Sequence, residues 1–244
     1  MASMTDTAPM LQVTDLRKSF GDVEVLNIPS LTVQPGEIVG VVGNNGAGKT
    51  TLFSLVLDLV KPTAGVAMLK GKDVSKHEAW KQFVSPYLDE GFLIEFLRPD
   101  EYFQFIGSLH GLSANDTDAF TAQFEDVSNG EVLGSKKLLR QLSKGNQKKA
   151  GLIGTLIGNP ELVIWDEPFA NLDPSTQLRI KDLVRSHGEN RTFLISSHDL
   201  NHVYDVCDRI VVIERGAVIK DVRKSETTLE ELYEHFTGKI DQSV

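Results

Sequence analysis

The sequence predicts an α/β fold, with a mostly parallel sheet covered by helices on both faces. Three observations carry this. Continuous apolar runs, IVGVV (38–42), LVIWD (162–166) and TFLISS (192–197), alternate with segments of helical spacing, and strands separated by helices form parallel sheets buried on both sides. The first run leads straight into a glycine-rich turn and then into the helical segment TTLFSLVLDLV. A chain of 244 residues at 41% hydrophobic also suffices for a substantial core, as one domain with a subdomain.

The elements follow in order. Residues 1–10, MASMTDTAPM, lack the basic region and apolar core of a secretory signal and read as a disordered leader. LQVTDLRKSF and the segment from LNIPSLTV to IVGVV carry strand signals. The helix begun by TTLFSLVLDLV is stopped by Lys61-Pro62 and the turn Thr63-Ala64-Gly65, after which VAMLKGKDV reads as a hairpin. From about Phe92 to Ile157 the pattern is mostly helical, interrupted around DVSNGEVLGSKK. A helix over roughly Pro174–Ser186 separates LVIWD from TFLISS. RIVVIERGAVIKD (209–221) reads as a hairpin turning at Arg215-Gly216, and TTLEELYEHFTG (227–238) as a short amphipathic helix closed by glycine, with a tail over 239–244.

Charge and cysteine content narrow the class. A net charge of −9 and a pI near 5.2 argue against a bulk nucleic-acid binder, so no direct nucleic-acid partner is expected. The single cysteine, Cys207, cannot form an internal disulfide, which suits a reducing compartment. No apolar run approaches the length of a membrane span.

GNNGAGKT (43–50) matches G-x-x-x-x-G-K-[ST] at every fixed position, after a strand and before a helix. Gly43, Gly46 and Gly48 let the backbone of 43–48, with Asn44, Asn45 and Ala47 between them, wrap a phosphate with inward N–H groups. The following helix, entered through Thr50 and Thr51, adds its positive end. Lys49 then bridges the β- and γ-phosphates, and the Thr50 hydroxyl reaches Mg²⁺. In LVIWDEP (162–168), adjacent acids on a strand face opposite ways, so Asp166 and Glu167 divide the work: Asp166 holds Mg²⁺, and Glu167 polarises the attacking water. In SSHDL (196–200), His198 either bonds the γ-phosphate or the water, or is incidental to a helix cap made by Ser197 or Asp199.

In this order the pieces resemble the ATP-binding subunits of ABC (ATP-binding cassette) transporters, over about residues 11–238. GNNGAGKTT looks like the family's Walker A motif, LVIWDEP its Walker B, ANLDP (170–174) its D-loop, SSHDL its switch-histidine loop, and LSKGN (142–146) its signature. The resemblance implies a P-loop NTPase core, an antiparallel β subdomain and an inserted α-helical subdomain at about 91–157. It also implies that Phe20 stacks on adenine, the alternative being a core phenylalanine at a strand end. Two departures stand out. Lys144 and Asn146 replace the usual glycine and glutamine of the signature, while Ser143 and Gly145 remain. The Q-loop glutamine is absent from SPYLDEGF (85–92), where Asp89 or Glu90 takes its place, and Glu90 is expected to reach Mg²⁺.

The resemblance implies a head-to-tail homodimer or heterodimer that sandwiches two ATP molecules. Ser143 and Gly145 then cover the neighbour's nucleotide and Asp173 lies at the same interface, while Lys148 and Lys149 are expected to be solvated. Phe92, Phe96, Tyr102, Phe103 and Phe105 serve core packing, with some exposed to receive a helix of a transmembrane permease subunit. The ending SETTLEELYEHFTGK is similar to ATPase subunits of small ABC-2-type export permeases. The implied protein is an ATPase subunit of a bacterial exporter, cytoplasmic and peripheral on the inner face of the cell membrane. The alternatives are a soluble ABC ATPase of metal-cluster assembly, repair or translation, and a regulatory module without hydrolysis, against which Glu167 and His198 argue.

Overall fold

Alternating apolar and polar residues open the chain. In the computed structural model, which describes residues 8–188 and 191–237, β1 (Leu11–Phe20) buries Leu11, Val13 and Leu16. β2 (Val23–Val33) buries Leu26, Ile28, Leu31 and Val33 and pairs antiparallel with β1 from Leu11↔Val33 to Phe20↔Val23. Then come β3 (Ile38–Val42), α1 (Lys49–Val56), β4 (Ala64–Leu69) and β5 (Lys72–Asp73). β4 takes the other edge of β1, and β5 pairs with β4, giving an antiparallel sheet ordered β2-β1-β4-β5.

The second sheet needs strands brought together from across the chain. β6 (Val84–Tyr87) precedes a helical stretch made of α2 (Pro99–Leu109), α3 (Ala114–Ala122), α4 (Glu125–Ser128) and α5 (Lys144–Gly154). After it come β7 (Leu162–Trp165), α6 (Pro174–Gly188), β8 (Thr192–Ser197), α7 (Leu200–Val206), β9 (Arg209–Glu214), β10 (Ala217–Arg223) and α8 (Leu229–Thr237). The sheet order is β10-β9-β3-β8-β7-β6, parallel except for the β9–β10 hairpin. Every residue of β3, β7 and β8 is buried, which is why these strands read as continuous apolar runs without alternation.

Successive residues of these strands feed two cores. Val39, Val41, Leu162 and Ile164 pack with Leu52 and Phe53 of α1 and with the antiparallel sheet. Val42, Val163 and Trp165 face the helices instead, against Leu152, Ile153, Ile180 and Val184. Trp165 is fully buried, and its indole N–H donates to Thr155 Oγ1 at 2.9 Å, so its polar end carries no desolvation penalty.

One boundary and one element differ from the sequence reading. Residues 1–7 of the expected leader lie outside the described residues, whereas Met10 is buried in the first core and its carbonyl accepts from Lys70 N. The expected 239–244 tail, and the glycine at 238, also lie outside the described residues. β6, which the sequence reading did not anticipate, is an edge strand, where Pro86 is tolerated because one side of its backbone needs no partner.

Candidate active site

The loop 43–48 leaves the centre of the parallel sheet and enters α1. Close packing requires glycine at its start: a Cβ on Gly43 would sit 2.3 Å from the Ile213 carbonyl. At its end Gly48 has φ +109°, which L side chains rarely adopt, and the helix it opens has no side-chain cap. The loop is braced from outside by Gly216 N donating to Ala47 O at 2.9 Å, and internally by Ala47 N donating to Asn44 O at 3.0 Å. Asn44, Asn45 and Gly46 are exposed at the rim. Lys49 is 6% exposed, and its ammonium folds back to donate to Gly43 O at 2.7 Å.

β7 lies two strands from β3, across β8, and brings its acids to this loop. Asp166 is 5% exposed and accepts from the hydroxyls of Thr50 and Ser196. Burial pushes its carboxyl above the usual carboxylate range, and the two hydroxyl donors oppose that rise. Glu167 lies beyond the end of the strand, and its φ of +49° places it in the left-handed region. A local turn, rather than strand alternation, therefore separates the two carboxylates. Such a conformation costs on the order of 1–3 kcal/mol and persists only where surrounding contacts hold it. The backbone N–H of Glu167 donates to Ser196 Oγ at 2.9 Å.

The Glu167 carboxylate joins Lys49 and His198. Oε1 lies 3.2 Å from Lys49 Nζ as an ion pair without hydrogen-bond alignment, and Oε2 lies 2.8 Å from His198 Nδ1. Of the SSHDL readings, the cap is present: Asp199 caps α7 by accepting from Asn201 N at 2.9 Å, while His198 contacts Glu167. A buried cation, a strained carboxylate and an imidazole in sequence form an arrangement suited to orienting and deprotonating a water beside bound phosphate.

Phe20 is 54% exposed at the end of β1, with Lys18 Nζ 4.7 Å from its ring centroid, so it is not a core phenylalanine. Ser143 is the N-cap of α5, its hydroxyl accepting from Asn146 N at 3.3 Å, and Gly145 lies against Leu172. Asp173 accepts from Ser175 Oγ and from Thr176 N and Oγ1 at the start of α6, and these donors hold its carboxyl below the usual range. Among the described residues, no hydrogen bond or ion pair joins Ser143, Gly145 or Asp173 to the loop 43–51.

One expectation is corrected, that for Lys148 and Lys149. Glu90, for its part, accepts from the Tyr87 hydroxyl at 2.9 Å and lies 4.0 Å from Lys148 Nζ. Asp89 turns back to accept from Gly91 N, capping a single 3₁₀ turn at Glu90–Phe92. Lys148 and Lys149 are buried, not solvated. Lys149 pairs with Glu131 at 2.8 Å, and Lys148 donates to the carbonyls of Glu167 and Ala170. The sequence reading also passed over Ser196, which braces both acids, and Gln177, whose amide donates to Phe169 O and Leu172 O behind the 170–174 loop. Of the five aromatics in 91–111, Tyr102 and Phe103 are core, while Phe92, Phe96 and Phe105 are exposed.

A glycine-rich loop between a buried parallel strand and a helix, with an acid-tipped strand one removed in the sheet, defines a P-loop nucleotide-binding domain. More particularly, the chain belongs to the ABC transporter family, whose model, described as ABC transporter, matches residues 26–170. It is 34% identical over 81% of its length to an uncharacterised ABC transporter ATP-binding protein of Synechocystis sp., and spans only 56% of that relative. It is 31% identical to the ABC transporter ATP-binding protein NatA of Bacillus subtilis, over 92% of both chains. A solved dimeric ATP-binding cassette in a post-hydrolysis state with ADP and Pi shares the fold, with a TM-score of 0.78 at 21% identity, covering 88% of this chain and 99% of that one. Among the described residues, no helix is long and apolar enough to cross a membrane.

Proposed function

We propose that this chain is the ATP-binding and ATP-hydrolysing subunit of an ABC transporter, working as a head-to-tail dimer on a separate membrane permease in the direction of export. The observation that carries the hydrolytic part is the series Lys49–Glu167–His198 beside the Thr50–Asp166 pair. In this reading the loop 43–48 and Thr51 hold the phosphates, Lys49 spans the β- and γ-phosphates, and Phe20 stacks on adenine. Glu167 takes the proton of the attacking water, and His198 holds the Glu167 carboxylate and the γ-phosphate in register.

The donor set fits Mg²⁺. Thr50 and Asp166 offer hard oxygens side by side, and among the described residues no group of three or more His, Cys, Asp or Glu could hold a metal alone. That is the pattern of an ion completed by phosphate and water oxygens, and its charge would offset that of the phosphates.

Ser143, Gly145 and Asp173 have no bond to their own chain's phosphate loop, which favours a role over the nucleotide of a second cassette; a dimer is also the state of the solved relative. Exposed Phe92, Phe96 and Phe105 on the helical segment favour a permease contact at the inner membrane face. The direction rests on the likeness of the C-terminal segment to exporter ATPases. The domain reading is one ATPase domain over about 11–238, with its helical subdomain at about 91–157.

ATP turnover of the full chain and of Glu167→Gln tests this. The variant is expected to lose at least about 100-fold in kcat and to elute as a dimer with saturating ATP. Wild-type turnover in the variant would remove Glu167 from the mechanism, and a monomer under those conditions would remove the sandwich.

A further inference from the structure

Lys148 is a second buried cation beside the site, after Lys49, yet no phosphate-binding role reaches it. It sits on α5, one turn past the Ser143 cap, and is 7% exposed. Its ammonium donates to Glu167 O at 2.9 Å and to Ala170 O at 3.0 Å, and its nearest carboxylate is Glu90 at 4.0 Å. Glu167 O also accepts from Ala170 N at 3.3 Å, so the turn 167–170 closes around the lysine.

Burying an ammonium is unfavourable unless its donors and its charge are both answered. Burial lowers the Lys148 pKa, and the carboxylates of Glu90, Glu167 and Asp166 act in the opposite direction. The counter-ion is itself anchored: Tyr87 donates to Glu90, and Tyr87 O accepts from Asp166 N at 2.8 Å. The Tyr87 ring also lies so close to Gly151 of α5 that a Cβ there would meet its Cε2 at 2.2 Å. Lys148 thus joins α5, the turn that carries Glu167, and the segment after β6, three parts distant in sequence.

The consequence concerns Glu167. Its left-handed backbone conformation needs surrounding contacts to hold it, and its N–H is held by Ser196 and its carbonyl by Lys148. We propose that Lys148 is a positioning residue for hydrolysis: by holding the Glu167 carbonyl, with Glu90 as counter-ion, it aims the Glu167 carboxylate and makes that aim depend on where α5 sits. This rests on the reading of Glu167 as the base. It assigns to the acid at position 90 the task of neutralising Lys148.

The test compares Lys148→Met, Lys148→Gln and Lys148→Arg in the full chain, with kcat normalised to the number of nucleotide sites titrated by a fluorescent ATP analogue. Normalisation removes any loss that comes only from unfolded protein. Lys148→Met is expected to lower kcat about 10- to 100-fold, as misplacement of a reacting group does, with KM for ATP changed less than about threefold because Lys148 touches no part of the phosphate loop. Lys148→Gln, which keeps a donor for the carbonyls, and Lys148→Arg, which keeps the charge, are expected to recover part of that loss. Glu90→Gln should cost activity in the wild-type background and little in Lys148→Met. The proposal is overturned if normalised kcat is unchanged in Lys148→Met, if KM rises in step with the loss, or if the effects of Glu90→Gln and Lys148→Met are independent. Normal turnover in the Glu167→Gln variant would instead overturn the reading of the base, so the two failures are distinct.

Discussion

His198 and Glu167 meet at 2.8 Å, Nδ1 to Oε2, from residues just past the ends of β8 and β7. The two strands are hydrogen-bonded neighbours, so their parallel register, Trp165 opposite Ile195, carries both residues to the same edge of the sheet. The contact is therefore fixed by the sheet, with Lys49 on the far oxygen of the same carboxylate.

His198→Ala removes one of the two groups that hold this carboxylate. The expected result is a fall in kcat of about 100-fold, with ATP affinity of the monomer within about twofold, measured by turnover and by equilibrium titration. Loss of monomer binding in proportion to kcat would show that His198 serves nucleotide capture instead.

Phe20 is exposed and offers its ring at the end of β1. Phe20→Ala should weaken ATP binding by roughly 5- to 150-fold, the range of base–aromatic stacking, and leave the affinity for inorganic triphosphate unchanged. Thermal unfolding of the apo chain should barely move, since an exposed ring contributes little burial. An equal loss for triphosphate would contradict stacking.

Ser143 caps α5 through Asn146 N, a bond worth about 0.5–2 kcal/mol to the helix. Ser143→Ala should impair ATP-dependent dimerisation, read by light scattering, more than ATP binding to the monomer. Ser143→Asp retains a capping side chain but, in the proposed dimer, would bring a negative charge towards the neighbour's phosphate; it should abolish dimerisation without lowering the melting temperature. A dimer formed normally by Ser143→Asp would place the residue away from the interface.

His202 supplies a pH dependence. Its ring stacks on Phe169 with centroids 5.1 Å apart, and its Nδ1 is buried without a hydrogen-bond partner. Burial lowers its pKa, with Asp199 and Asp205 acting against the fall and Lys181 and His198 adding to it. A native pKa below the unfolded one means the unfolded chain binds more protons in the window between them, so stability falls as pH falls there. Its contribution is fully present above the unfolded value, about 6.5, and is lost as pH drops towards the native value. His202→Gln should flatten the loss of melting temperature between about pH 7.5 and about pH 5.5; an unchanged slope would assign it to other groups, such as His187, which burial also lowers.

The sequence alone determined the features that are local. The run from Ile38 to Val56 specifies a buried strand, a loop with glycines where the backbone must turn or pack closely, and a helix, because contiguous residues carry the whole instruction. The hairpin at Arg215-Gly216 was legible for the same reason. Tertiary structure decided what depends on residues far apart. Lys148 looks like a solvated helix residue until the Glu167 and Ala170 carbonyls and Glu90 arrive to satisfy its charge in the interior. Glu90 offers a carboxylate whose nearness to Lys148 is invisible in the sequence, because it comes from packing of the segment after β6 against α5. The meeting of His198 with Glu167 likewise follows from strand order, since residues 31 apart in sequence become neighbours only once β7 and β8 pair.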